Sequence, residues 1–245
     1  MCFHTSAFHK TKKIEKRFEV KLISEHLRPI FDQPHYHLNG FSHPNMLVIQ
    51  QEKHDVLAPG VWGIVPSNKN DNEIKAYYKE AVKYGGGLNS QSEKLFNHYL
   101  YRESALTRRC IIPVSGFFEP HEHLKKKYPF FIQSKDREPL ALAGIYSVID
   151  TYITFSILTK PASPLFEKIH NLKKRQPVIL NNEQIHNWLA NDLDQKDIKE
   201  MVKMEFPESK LQAYAVDKAV FSPKVDSNTE TSIERVEYLE LNNLI

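Results

Sequence analysis

The sequence predicts an α+β fold in a single domain, with a central and mainly antiparallel sheet flanked by helices. Segments rich in Phe, Tyr, Ile and Val are grouped in the middle of the chain, and segments with helical spacing surround them. No linker-like stretch divides the 245 residues, so we assign residues 1–245 to one domain. The hydrophobic content of 41% is sufficient for a well-buried core.

The individual elements follow from local patterns along the chain. Apolar residues at helical spacing, together with capping and turn residues, predict helices at 71–84 with Asp71 as N-cap and Gly85–Gly87 as its end, at about Ser92–Thr107, from Ser163-Pro164 onward, at Glu183–Ala190 and at Asp197–Met204. Apolar and aromatic runs predict strands at Met46–Ile49, Val61–Val65, Cys110–Phe118, Tyr128–Gln133, Leu140–Ser147, Tyr152–Thr159 and Val178–Leu180.

Composition excludes several classes of protein. The net charge of +3 and pI near 8.6 permit nucleic-acid binding without arguing for it. Two distant cysteines, Cys2 and Cys110, make neither a disulfide framework nor a zinc site, so we expect a reducing compartment, cytoplasmic or nuclear. The pairs His35–His37 and His121–His123 lack further ligands at useful spacing, so no metal or cofactor is expected. We expect no membrane segment, because no uncharged apolar run approaches the roughly 20 residues that a spanning helix needs.

Cys2 stands where removal of Met1 would expose an amine and a thiol on adjacent carbons. The amine titrates near ~8 and the thiol near ~8.5, so both have a reactive fraction at neutral pH. The amine can form a Schiff base with an aldehyde, and the thiol can then close a five-membered thiazolidine ring. The alternative is that Cys2 is an incidental residue on a frayed terminus.

Several short segments occur together in a fixed order. From the N-terminus they are Met1-Cys2, Trp62–Ser67, Asn89–Glu93, Arg108–Pro113, Gly116–Glu119, Ala143–Tyr146, Thr159 with Ala162, Ile169–Asn171 and Arg175–Leu180. Together, over residues 1 to about 226, they resemble the SOS-response-associated peptidase (SRAP) family. The resemblance implies a compact fold whose barrel-like strands surround a basic groove. It also implies processing of abasic sites in single-stranded DNA during the DNA damage response.

The resemblance implies roles for four residues. Cys2 forms a thiazolidine crosslink with the ring-opened abasic sugar, and Asn89 orients the N-terminal amine. Glu119 helps to open the sugar ring, and His170 assists Schiff-base chemistry and reversal of the crosslink. These four are the candidate catalytic residues.

The sequence context of these residues adds physical expectations. Glu119 ends an apolar stretch, where desolvation favours the protonated acid, although a solvated position at a strand exit is an equal alternative. His170 falls near the end of a predicted helix, where the helix dipole favours a charged imidazole. Asn89 follows the glycines, where a capping or turn role is common, and Cys110 is expected to be a buried core thiol.

The candidate DNA contacts are Trp62, Ser92, Arg102, Arg109 and Arg175. Trp62 could stack on a base, and the arginines could bind phosphates, although solvated surface charge is the common role of such side chains. The sequence departs from the family pattern at four positions. Phe3 and His4 stand in place of the Gly and Arg after the cysteine. Gln91 stands in place of the Arg of the Asn-x-Arg-Ser-Glu motif, and Asn68 in place of the aromatic residue after Pro-Ser. These replacements predict weaker or differently placed DNA contacts.

Three functions stay open from the sequence, in this order. The first is covalent capture of abasic sites by a monomeric protein, which shields the lesion. The second is a cysteine peptidase, limited to autoprocessing of Met1, since a Cys–His pair can serve amide hydrolysis. The third is non-covalent reading of modified DNA bases, which should survive Cys2→Ala.

Overall fold

The computed structural model describes residues 2–241 and confirms the α+β fold class. The strands, in chain order, are β1 (His4–Ala7), β2 (Lys21–Leu22), β3 (His35–Asn39), β4 (Asn45–Gln50), β5 (Lys53–Trp62), β6 (Asn89–Gln91), β7 (Arg109–Val114), β8 (Gly116–His123), β9 (Lys126–Ser134), β10 (Leu140–Ile149), β11 (Tyr152–Pro161), β12 (Arg175–Pro177), β13 (Ile179–Leu180) and β14 (Leu211–Ala215). The α-helices are α1 (Thr11–Phe18), α2 (Arg28–Phe31), α3 (Asp71–Ala81), α4 (Arg102–Thr107), α5 (Pro164–Ile169), α6 (Asn182–Trp188) and α7 (Gln195–Lys203).

The larger sheet contains a closed ring of strands. Antiparallel pairing runs from β5 through β4, β7 and β10 to β11, and β11 then pairs in parallel with β5 at Thr154 opposite Val61. This last pairing returns to the first strand of the series and confirms the barrel-like sheet. Closing the ring removes two edges that would otherwise need protection.

The second sheet is antiparallel and carries the N-terminus of the chain. Its order is β14-β9-β8-β1-β3, so that β1 lies between β8 and β3. Large aromatic side chains of β8 and β9, among them Phe117, Phe118 and Phe131, are fully buried. Phe117 packs in the same apolar cluster as Cys2 and Trp62, so the core is continuous between the two sheets.

Four sequence predictions about single elements are wrong. The strand predicted at Val61–Val65 is one of them, because β5 runs from Lys53 to Trp62. The run Cys110–Phe118 is not one strand, because Ser115 divides it into β7 of the barrel and β8 of the second sheet. The Ser115 Oγ atom accepts hydrogen bonds from the backbone N–H groups of Phe8 and His9, at N–O distances of 2.9 and 3.0 Å. An apolar pattern predicts that a segment is buried, but it does not show that the chain passes from one sheet to another within that segment.

The predicted helix from Ser92 to Thr107 is also wrong. Only a 3₁₀ turn at Ser92–Lys94 and α4 are helical in this region. Between them, the ring Nδ1 of His98 accepts the Leu100 N–H at 3.3 Å, in place of the backbone carbonyl that a helix would offer. The helix α3 is confirmed, but its N-cap is Asn70 instead of Asp71.

Within residues 2–241, no helix combines the length and the apolar character that crossing a bilayer requires.

Gly144 of β10 provides a test of how tightly the barrel is packed. A Cβ at this position would lie 2.5 Å from Ile112 Cδ1 and 2.7 Å from the Ser156 carbonyl oxygen. We expect Gly144→Ala to lower the free energy of unfolding by about 1–3 kcal/mol, measured by urea denaturation, because one added methyl strains a filled core. Gly60→Ala is the control, since its Cβ would meet side-chain atoms at 3.2 Å or more. Equal losses at both positions would contradict this packing.

Candidate active site at the N-terminal cysteine

Cys2 lies at the junction of the two sheets. Two residues later, His4 of β1 stands opposite Phe118 of β8 on one side and Asn39 of β3 on the other. From the larger sheet, Asn89 Nδ2 of β6 donates a hydrogen bond to the Cys2 carbonyl oxygen at 2.9 Å. The Cys2 side chain is 0% exposed. Residue 2 therefore does not lie on a frayed terminus.

Glu119 and His170 lie together beside Cys2. Glu119 belongs to β8, one residue beyond the partner of His4, and is 0% exposed. His170 follows the last residue of α5 and is also buried. Its Nδ1 lies 3.1 Å from Glu119 Oε2. The Glu119 carboxyl acts electrostatically on the Cys2 thiol, which places the three residues in one site.

Burial sets the protonation of this pair. Desolvation raises the pKa of Glu119 to about 7, as the apolar sequence before it predicted, and this agrees with its protonated form being accessible near neutral pH. Desolvation lowers the pKa of His170 to about 4. The expectation of a charged imidazole is therefore wrong, because burial outweighs the partial charge at the end of a six-residue helix.

The hydrogen bonds of His170 also define its tautomer. Nδ1 lies 3.0 Å from the Arg175 carbonyl oxygen, which can only accept a hydrogen bond. Nδ1 therefore carries the proton in the neutral ring, and the lone pair is on Nε2. A neutral imidazole in this tautomer can accept a proton at Nε2 during a reaction.

The thiol of Cys2 is held in its protonated form. Burial and the nearby Glu119 carboxyl raise the pKa of Cys2 well above its ordinary range. The Sγ atom lies 3.7 Å from the His4 carbonyl oxygen, a partner that accepts the thiol hydrogen. Such a thiol is a weak nucleophile until its proton is removed. The second cysteine, Cys110, is 0% exposed in β7 and is confirmed as a core thiol.

Asn89 has a strand position instead of the turn or cap that its neighbours suggested. It stands opposite Ile157 in the parallel pair of β6 with β11. Its Nδ2 holds the Cys2 carbonyl, whereas its buried Oδ1 has no hydrogen-bond partner within residues 2–241. A buried acceptor without a partner is costly, so this oxygen is a place where a donor from a processed terminus or a ligand would gain stability.

Two of the predicted DNA contacts are wrong. Trp62 is 0% exposed, and its Nε1 donates to the Leu88 carbonyl oxygen at 2.9 Å, so the ring belongs to the core and cannot stack on a base. Arg109 is also 0% exposed. Its guanidinium donates to the carbonyl oxygens at the ends of α4 and α6: Ala105, Leu106, Trp188 and Ala190. Arg109 therefore joins two helices to the barrel.

The other three predicted contacts have different surroundings. Arg175 makes a bidentate pair with Glu93, at 2.7 and 3.0 Å, and also donates to the Thr159 carbonyl oxygen at 3.0 Å. Ser92 donates to the same Glu93 carboxylate at 3.1 Å. This pairing offsets the charge of Arg175 and lowers the pKa of Glu93 to about 2. Arg102 is exposed on α4 and is accessible to a phosphate.

Sequence reasoning missed a cavity of about 380 Å³ beside His170. Its walls include Phe3, His4 and Phe221, and Lys127 and Lys173 contribute side chains to it. Lys173 stands two residues after the Ile169–Asn171 motif. Phe221 lies in the C-terminal part of the chain without any motif, so only tertiary structure could assign it to the site.

The fold and site define a protein with a buried cysteine at position 2, an amide that holds it, and a carboxyl–imidazole pair. The sequence model of the family described as SOS response associated peptidase (SRAP) matches residues 1–223. The chain therefore belongs to the SRAP family, as its motifs predicted.

Individual relatives agree with this assignment. The chain is 30% identical over 172 residues to the abasic site processing protein YoqW of Bacillus subtilis, covering 68% of this chain and 71% of that one. It is 24% identical over 184 residues to the abasic site processing protein YedK of Escherichia coli, covering 73% and 76%. A crystal structure of a protein from Bacteroides thetaiotaomicron has a TM-score of 0.83 at 28% identity, covering 96% and 100%.

The raised pKa of Glu119 predicts a pH-dependent cost to stability. In the unfolded chain this acid has its ordinary pKa of 4.5, whereas in the folded protein its pKa is about 7. As pH rises through this range, the unfolded chain releases the proton more readily than the folded protein does. The free energy of unfolding therefore falls from pH 4.5 to about pH 7. We expect Glu119→Gln to raise the free energy of unfolding at pH 8 by about 2–3 kcal/mol more than at pH 4. Urea denaturation at both pH values measures this, with Glu122→Gln of the same strand as matched control. A change that is equal at both pH values would argue against a desolvated acid.

Proposed function

We propose that this protein captures abasic sites in single-stranded DNA covalently, through a thiazolidine formed by the amine and thiol of Cys2 after Met1 is removed. The observation that carries the proposal is the fixed position of Cys2 between Asn89 and the Glu119–His170 pair. The relatives named above are abasic site processing proteins, which supports DNA with abasic sites as the partner. The adduct shields the lesion.

The order of the two nucleophiles follows from their protonation. The thiol of Cys2 has a raised pKa, whereas a free α-amine titrates near ~8 and has a neutral fraction at pH 7. The amine therefore adds first to the sugar aldehyde, and loss of water gives a Schiff base. The thiol sulfur then adds to the carbon of the C=N bond, and its proton passes to the nitrogen. One water molecule leaves for each thiazolidine that forms.

Glu119 and His170 supply the proton transfers in this proposal. The abasic sugar is a cyclic hemiacetal and exposes its aldehyde only when the ring opens. Glu119 gives a proton to the ring oxygen and takes back the proton of the anomeric hydroxyl, so that ring opening needs no net proton. A carboxyl group with a pKa near 7 is suited to both steps. His170 accepts a proton at Nε2 as the Schiff base is formed and consumed.

Asn89 positions the reacting amine. Its Nδ2 fixes the Cys2 carbonyl at 2.9 Å, and the Oδ1 of the same amide accepts a hydrogen bond from the amine once Met1 is removed. Single-stranded DNA is the form whose backbone can bend far enough to bring a sugar to a buried residue. Exposed basic side chains near the cavity, including Lys127 and Lys173, bind its phosphates without reading sequence.

General peptidase activity fits the site less well. A cysteine peptidase needs a thiolate as its first nucleophile, whereas the Cys2 thiol is held in its protonated form. In the proposed capture reaction the amine attacks first, so no free thiolate is needed at the start. We therefore limit peptide hydrolysis in this proposal to removal of Met1. Turnover of peptides by the processed protein would contradict this limit.

The adduct assay tests the proposal directly. Processed protein is incubated with single-stranded DNA that holds one abasic site, and heat-stable adducts are separated by denaturing electrophoresis. We expect Cys2→Ala and protein with residues added before Cys2 to form none, because each lacks the aminothiol. The matched control is Cys110→Ala, which removes the other thiol and should form adduct normally. An adduct that persists in Cys2→Ala would overturn the proposal.

The rate of adduct formation should depend on the ionisation of Glu119. The acid form is lost as pH rises through about 7, so the wild-type rate should contain a falling limb there. We expect Glu119→Gln to react about 10²-fold more slowly at pH 6.5 and to lack that limb. Glu200→Gln, which changes an exposed acid of α7 outside the site, should keep both the rate and the limb. If the rate of Glu119→Gln still falls as pH rises through about 7, the ionising group is not Glu119.

A further inference from the structure

The cavity of about 380 Å³ beside the site has mainly aromatic and aliphatic walls. These walls are formed by Phe3, His4, Phe118, His170, Leu172 and Phe221. Its volume lies within the range of about 300–1,000 Å³ that is typical of pockets for small organic groups. None of the proposed chemistry at Cys2 uses Phe3, Leu172 or Phe221.

The cavity is continuous with the reactive centre. His170 lies in both, and Phe3 and His4 directly follow Cys2 in the chain. When an abasic sugar lies at Cys2, this cavity is therefore close enough to hold one of the two adjoining nucleotides. The adjoining nucleotide still has its base, whereas the abasic nucleotide has none to contribute to binding.

The aromatic rings of the cavity are held in place by their neighbours. His4 Nδ1 lies 2.8 Å from His37 Nε2, and His37 Nδ1 lies 2.6 Å from the Ser227 hydroxyl oxygen. The His4 ring packs against Phe221 with centroids 4.8 Å apart. Burial lowers the pKa of His4 to about 3, so this ring is neutral at physiological pH. Ordered and uncharged rings are suited to stacking on a planar partner.

The charges of the cavity fit a phosphate beside such a ring. Lys127 and Lys173 are exposed and contribute to its lining, and Glu122 opposite Lys127 is the acidic member. Lys125, Lys126 and Lys174 continue both basic segments along the surface and are exposed. An apolar cavity with exposed cations among its lining residues is complementary to a nucleotide.

We propose that this cavity receives the nucleobase next to the abasic site, stacked on Phe221 and Leu172, with its phosphate near Lys127 and Lys173. The inference rests on the proposed function, because it takes the abasic sugar to lie at Cys2. The protein then prefers lesions with an intact neighbouring base.

Matched oligonucleotides test this preference. Each carries one abasic site, and the neighbour on the 5′ side, on the 3′ side or on both sides is either an ordinary nucleotide or a tetrahydrofuran residue, which lacks a base. We expect wild-type adduct formation below saturation to slow by about 5-fold or more when one particular neighbour lacks its base, the effect of losing one stacked base. Removal of the other neighbour's base should have a smaller effect.

Variants assign the preference to the cavity. Phe221→Ala and Leu172→Ser should each abolish the preference for an intact neighbouring base, whereas Phe221→Tyr, which keeps the ring, should retain this preference. Leu172 is 59% exposed, so its replacement does not threaten folding. The control is Tyr152→Ala, which removes a 49% exposed aromatic ring at the start of β11 and should retain the preference.

A second readout separates this inference from the covalent chemistry. Cys2→Ala cannot form the adduct, so its binding to the same oligonucleotides, with a tetrahydrofuran at the lesion, is measured by fluorescence anisotropy. The same base preference is expected, and it should disappear in Cys2→Ala with Leu172→Ser. If no oligonucleotide forms an adduct, the proposed function is contradicted but the inference about the cavity is not. The anisotropy measurement then tests whether the cavity binds the neighbouring base. Equal binding with and without neighbouring bases overturns the inference.

Discussion

A single short strand, β1, is paired on both sides and holds the backbone that follows Cys2 in place. It pairs with β3 and β8 in one sheet, and Asn89 from the other sheet bonds to the carbonyl just before it. Chain termini are usually mobile, and a nucleophile on a mobile terminus would lose much of the advantage of fixed geometry. Here Cys2 is buried, and the pairing of β1 with β8 brings Glu119, with His170 3.1 Å from it, close to Cys2. The remaining features of the site depend on this arrangement.

Desolvation is the second constraint, and it acts on every titratable group of the site in the same sense. It raises the pKa of Cys2 and of Glu119, and it lowers that of His170, so each group favours its neutral form. Neutral groups near pH 7 can exchange protons with a sugar at little cost, which suits ring opening and Schiff-base formation. The same neutrality makes the Cys2 thiol a poor peptidase nucleophile, and in the proposed function the thiol therefore reacts after the amine.

The sequence predicted the membership of the site better than its surroundings. Cys2, Asn89, Glu119 and His170 are far apart in the chain, and the ordered motifs predicted that they belong together. In the structure Asn89 bonds to the Cys2 carbonyl, the Glu119 carboxyl raises the pKa of the Cys2 thiol, and His170 Nδ1 lies 3.1 Å from Glu119 Oε2. The burial of Trp62 and Arg109 could not be predicted in this way. Arg109 is satisfied by carbonyls at the ends of α4 and α6, a partnership that exists only after the helices pack. Residue type alone favours an arginine at the surface.

The most direct test of the central claim is tandem mass spectrometry of the isolated protein–DNA adduct after digestion. If the aminothiol of residue 2 forms a thiazolidine, the modification maps to Cys2 of a chain without Met1. The adduct mass is then the sum of both components less one water, and borohydride does not change it. A modification on a lysine, or a borohydride-sensitive adduct that Cys2→Ser forms equally well, would contradict the claim.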